Sequence, residues 1–70
     1  MGTEVGKRVR NLRVEKGLTQ QEIANMLEIE RGNYSKYELG KLEFNNEMLV
    51  KLSKYYKVTT DYILGLENYE

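Results

Sequence analysis

The chain contains no cysteine, no histidine and no proline. Each absence removes a class of explanation. Without cysteine there is neither a disulfide framework nor a thiolate zinc site. Without histidine the commonest general base and the commonest metal ligand are both missing. Catalysis would then rest on carboxylates, lysines, serines or tyrosines, and no pair of them has a spacing that marks a site. Glu15, Glu22 and Glu47 read as helix-surface charges. No enzyme is expected, and no metal, cofactor or small-molecule substrate is implied. The N-terminus has no apolar signal segment and no run approaches the length of a membrane span, which predicts a soluble cytoplasmic protein with no membrane partner.

An excess of one charge sign is missing too. Eleven Lys or Arg balance eleven Asp or Glu. A nucleic-acid binder is ordinarily basic. The distribution softens the objection: residues 1–41 carry eight basic against six acidic side chains, and residues 42–70 carry three against five. Overall neutrality predicts weak non-specific DNA affinity, because that component comes from neutralising phosphates. No linker, repeat or low-complexity segment interrupts the chain, so residues 1–70 are expected to form one domain. A core of this size rarely supplies more than roughly 3–5 kcal/mol, which makes self-association an expected supplement. With no second domain to sense an inducer, regulation is expected to act through a partner, dimerisation or concentration.

What is present is helical periodicity nearly throughout. Helix one is predicted from just after Thr3 to about Lys16, with Val5, Val9 and Leu12 on one face and Gly17 ending it. Thr19 is a strong N-cap for helix two, and Glu22 three residues later completes a capping box. Ile23, Ala24 and Leu27 face inward. Helix three spans about Arg31 to Leu39, with Tyr34 and Tyr37 toward the core and Gly40 as the stop. Asn45 caps helix four, which buries Leu49, Leu52 and Tyr56. Thr59 or Thr60 caps a short fifth helix closed by Gly65, and the tail from Leu66 to Glu70 is expected to fray. The fold class is therefore all-α, a compact domain of five short helices.

The unit from Gln20 to Leu39 carries the function. Two short helices joined by a tight turn, the second with polar and basic side chains outward, suit a helix entering the DNA major groove. The start of helix two, at Gln20 and Gln21, offers free backbone N–H groups and an amide to a phosphate. Helix three leads with Arg31, Gly32 and Asn33 and shows Lys36 a turn later. Arg31 suits guanine O6 and N7, and Asn33 suits adenine N6 and N7. Gly32 permits close approach, and Lys41 lies beyond the helix stop, placed for a phosphate. Any one of these side chains alone reads equally well as solvating an exposed face. Together with the caps, the turn and the glycine stop, they point to DNA.

Residues 5–65 resemble the phage-repressor or Xre family of helix-turn-helix domains, with the lambda-repressor-like fold. The resemblance lies in Gly6-Lys7-Arg8-Val9-Arg10, Leu12-Arg13, Gly17-Leu18-Thr19-Gln20, Ile23-Ala24, Ser35-Lys36-Tyr37-Glu38, Leu49 through Leu52, and Asp61-Tyr62-Ile63-Leu64-Gly65. It implies that Gln20 and the start of helix three contact double-stranded DNA, with Arg31, Gly32 and Lys36 at base-reading positions and Asn33 beside them. It also implies an ion pair between Arg13 and Glu38. Four residues depart from the family pattern. Glu28 replaces the turn glycine, which predicts a strain of roughly 1–2 kcal/mol and an altered turn. Glu30 replaces the usual Ser or Thr cap, so it either accepts from cytosine N4 or repels phosphates. Leu39 replaces a commonly charged residue, and Phe44 a proline. Phe44, Thr60, Tyr62 and Ile63 are candidates for a twofold dimer interface, which predicts a palindromic operator. The expected function is a sequence-specific transcriptional regulator, more readily a repressor. The alternative is an antitoxin-like or immunity-type module with a protein partner and secondary DNA binding.

Overall fold

The computed structural model describes residues 2–66, with side chains from residue 4 onward. It is all-α, as the periodicity predicts: α1 Gly2–Glu15, α2 Gln20–Leu27, α3 Arg31–Glu38, α4 Asn46–Tyr56 and α5 Thr60–Leu64. The first helix begins at Gly2, earlier than Thr3 suggests, and stops at Glu15. It ends there because Gly17 turns left-handed (φ 70°) and lets Leu18 N–H reach back to the Arg13 carbonyl at 3.0 Å. The third ends at Glu38, with Leu39 as its cap. Leu66 donates its N–H to the Asp61 carbonyl at 2.8 Å. The rest of the expected frayed tail, residues 67–70, lies outside the described residues.

Three helices start where the sequence supplies a short polar side chain. Thr19 accepts from Glu22 N–H at 3.1 Å, while the Glu22 carboxylate accepts from Thr19 N–H at 2.7 Å. Asn45 accepts from Met48 N–H at 2.8 Å, and Thr59 from Tyr62 N–H at 3.0 Å. Such a cap contributes about 1 kcal/mol by satisfying an N–H that the helix leaves free. The third helix lacks one: Glu30 occupies the cap position without a side-chain capping bond.

The core gathers one stripe from each helix: Val9 and Leu12, Ile23 and Leu27, Tyr34, Leu49 and Leu52, and Ile63. Packing joins α1 to both α3 and α5, and α2 to α3. Tyr56 is buried edge-on against Tyr55, with ring centroids 5.2 Å apart. Burial holds its hydroxyl pKa well above the ordinary tyrosine value.

The turn between α2 and α3 corrects one expectation. Glu28 takes the left-handed conformation itself (φ 63°, ψ 41°), so the turn is kept, not altered. Its N–H caps the end of α2, and Ile29 N–H bonds the Ala24 carbonyl at 2.9 Å. The surrounding bonds and the burial of Leu27 hold a conformation that a side chain disfavours. Glu28→Gly is therefore expected to stabilise the fold by about 1 kcal/mol. A rise in the urea midpoint at unchanged slope is the readout, and a fall would mean the carboxylate has a role that the turn does not reveal.

Candidate nucleic-acid interface

The third helix is anchored by two side chains one turn apart. Tyr34 is wholly buried and Glu38 is 5% exposed. A buried carboxylate needs its lone pairs filled, and four donor bonds reach this one. Arg13 Nε donates to Glu38 Oε2 at 2.8 Å, and Arg13 Nη2 to Oε1 at 3.3 Å. The Tyr34 hydroxyl donates to Oε2 at 2.5 Å, and Gln20 Nε2 to Oε1 at 3.0 Å. Arg13 also donates through Nη1 to the Leu18 carbonyl at 2.8 Å. One carboxylate thus ties the end of α3 to α1, to the first residue of α2 and to its own preceding turn.

The titration of the cluster follows from these bonds. Burial by itself pushes the Glu38 carboxyl up, but the bonds from Arg13, Tyr34 and Gln20 outweigh it and hold it below the usual carboxylate range. The same bond to Glu38 raises Arg13. Burial and then the bond to Glu38 keep the Tyr34 phenol protonated far above its ordinary value. The Arg13–Glu38 pair is charged at neutral pH, with its buried polar groups hydrogen-bonded.

Sequence reasoning named Arg13 and Glu38 but missed that Tyr34 and Gln20 complete the set. The available signal was the four-residue spacing of Tyr34 and Glu38, which stacks them on one helical face. Nothing in the spacing around Gly6 signals its role. Its backbone lies so close to the end of α3 that an added Cβ would sit 2.3 Å from the Glu38 carbonyl oxygen.

With its inner face so held, α3 turns Arg31, Gly32, Asn33 and Lys36 outward, all exposed. Glu30 stands exposed at the leading end and Lys41 just past the left-handed Gly40 (φ 83°). Nothing lies within 4 Å of the place a Cβ on Gly32 would take. The glycine is thus not required by the fold. Gln20 is half-buried, with one amide N–H committed to Glu38. Gln21 is exposed and donates along its own helix to Asn25 Oδ1 at 2.9 Å. The bond from Gln20 thus joins the first residue of α2 to the last residue of α3.

The sequence pattern of the family described as Helix-turn-helix domain matches residues 6–68. The chain belongs to the helix-turn-helix family. Within it, this domain is of the phage-repressor type. It is 44% identical over 59 residues to the SPbeta prophage-derived uncharacterized HTH-type transcriptional regulator YonR of Bacillus subtilis, covering 84% of this chain and 55% of that one. It is 39% identical over 51 residues to the cryptic phage CTXphi transcriptional repressor RstR of Vibrio cholerae, covering 73% and 46%. The solved structure of the clp gene regulator ClgR from Corynebacterium glutamicum matches with a TM-score of 0.83 at 25% identity, over 93% of this chain and 69% of that one. The chain spans about half the length of the curated relatives it matches. A helix-turn-helix domain is a binding module, and this one is not an enzyme. None of its described helices is long and apolar enough to cross a membrane.

The candidate dimer residues separate. Ile63 is 0% exposed, so its side chain secures α5 to its own core and is withdrawn from any partner surface. Thr60 and Tyr62 are half-buried on the same helix. Phe44 is half-buried, with its ring centroid 5.1 Å from that of Tyr37. It also lines an open cavity of about 500 Å³ with Val5, Leu49, Leu64 and Leu66.

Proposed function

We propose that this domain binds double-stranded DNA in a sequence-specific manner as a transcriptional regulator, with α3 in the major groove and the start of α2 on the phosphate backbone. The observation that carries this reading is the leading end of α3: Arg31, Gly32 and Asn33 are exposed, and space is open around Gly32. Glycine inside a helix costs about 0.5–1 kcal/mol relative to alanine, and here the fold gains nothing from it. Close approach to a base edge or phosphate gives it a use. Two copies would place their recognition helices about 34–36 Å apart on a palindromic operator. Phe44, Thr60 and Tyr62, each half-buried in the single chain, would then contribute to the contact between the copies. Repression follows where that operator overlaps a promoter, and the cytoplasm is where such DNA is reached. The description of RstR as a phage transcriptional repressor supports that sign.

Selection of bound sequences from a random duplex pool tests the proposal. The wild-type chain is expected to enrich a palindromic motif. Arg31→Ala should relax one base pair per half-site, lowering affinity for the preferred sequence by roughly 5- to 150-fold, the value of one bidentate contact. Failure of the wild type to enrich any sequence would remove the proposal in favour of a protein partner.

A further inference from the structure

We propose that Glu30 is a specificity-determining residue that requires a cytosine in each half-site. This deepens the DNA-binding reading above and rests on it. A cap position ordinarily holds a short side chain that folds back onto the N–H groups of the first turn. Glu30 occupies that position with extended backbone (φ −74°, ψ 147°), and its carbonyl accepts from Tyr34 N–H at 2.9 Å. Its carboxylate makes no capping bond and joins neither ion pair among the described residues. The helix thus forgoes a stabilising contact and carries instead an exposed, uncommitted carboxylate at its leading end, beside Arg31.

Such a group narrows what the helix can approach. An ionised carboxylate only accepts hydrogen bonds. In the major groove guanine shows two acceptors, thymine an acceptor and a methyl, and adenine an acceptor beside its donor. Cytosine alone shows a donor, N4–H, with no acceptor of its own. The neighbouring guanidinium has the opposite demand and matches guanine O6 and N7. The adjacent side chains Glu30 and Arg31 therefore form an acceptor–donor pair complementary to a C·G base pair, or to a cytosine one step from the guanine that Arg31 reads. At guanine or thymine the carboxylate meets acceptors without compensation, and at adenine the N7 acceptor beside N6–H offsets the bond, which is discrimination by repulsion as well as by contact. The chain's zero net charge sharpens this, because little general attraction to phosphates is available to hide a mismatch.

The test compares wild type, Glu30→Gln and Glu30→Ala in selection from one random duplex pool, followed by affinity for the wild-type consensus. Glu30 is exposed and unbonded, so all three variants should unfold at closely similar urea concentrations. The wild type is expected to demand a cytosine at one position per half-site and to lose roughly 5- to 150-fold in affinity when that base is changed. Glu30→Gln should move that position to adenine, whose N6 and N7 suit an amide, and Glu30→Ala should leave it degenerate. All other positions should stay unchanged. An identical motif from all three proteins, with Glu30→Ala binding more tightly everywhere, would overturn the assignment and leave the regulator reading standing. No motif from the wild type would overturn both.

Discussion

Glu38→Ala should lower the stability of this domain by about 3–5 kcal/mol, the cost of leaving a buried charge without its partner. Arg13 has a side chain only 13% exposed and makes two of its three bonds to Glu38. Removing the carboxylate strands that guanidinium and also leaves the Tyr34 hydroxyl, in the wholly buried Tyr34, without its acceptor. A domain of this size has roughly that much stability in total, so the variant should unfold without a cooperative transition at room temperature. Replacing both members of the pair, Arg13→Met with Glu38→Leu, should recover much of the loss, because neither charge is then buried alone. Chemical denaturation of the double variant beside the wild type measures that recovery, and loss of the sigmoidal transition in the single variant measures the cost. A single variant within about 1 kcal/mol of wild type would place the cluster among ordinary surface pairs.

The same cluster sets an acid limit. Burial works against the charged form of Glu38, but the bonds from Arg13, Tyr34 and Gln20 prevail and depress its pKa in the folded state. A depressed carboxylate contributes its stability in full above the unfolded-state value of about 4.3, and loses it as the pH falls through the lower folded value. Wild-type stability should therefore decline below about pH 4.3, and a Glu38→Gln variant should show a shallower decline over that interval.

Gly6→Ala should be nearly as damaging, at about 3 kcal/mol, the upper end of overpacking. The added methyl would lie 2.3 Å from the Glu38 carbonyl oxygen, 2.7 Å from that of Tyr37 and 2.8 Å from the Glu38 carbonyl carbon. All three atoms are backbone, so no side chain can rotate aside. The first helix must back away from the end of α3, and Arg13 on that helix would move with it and lengthen its bonds to Glu38. Alanine favours an isolated helix over glycine by about 1 kcal/mol, so intrinsic propensity predicts the opposite sign. A thermal midpoint above that of wild type would show that the two helices can separate at no cost.

Much of this molecule was legible from local chemistry. The caps Thr19, Asn45 and Thr59 need only a side chain and an N–H three residues on, which one stretch of chain supplies. The inward stripes of α2 and α4 follow from apolar spacing. The boundaries of α1 and the burial of Ile63 did not: an apolar residue on a five-residue helix reads the same whether its face meets its own core or a partner. The turn at Glu28 was misjudged for a related reason. Intrinsic preference disfavours the left-handed conformation there, and neighbouring bonds override it.

The sequence by itself determined five helices, the side-chain caps of α2, α4 and α5, and a leading end of α3 that carries Glu30, Arg31, Gly32 and Asn33. Those are matters of residue spacing within a few positions. Only the tertiary structure decided that Glu38 gathers Arg13, Tyr34 and Gln20 at once, that Gly6 is pressed against the end of α3, and that Gly32 faces open space. Each depends on which helices cross and how closely, and that is set by the packing of side chains far apart in the chain.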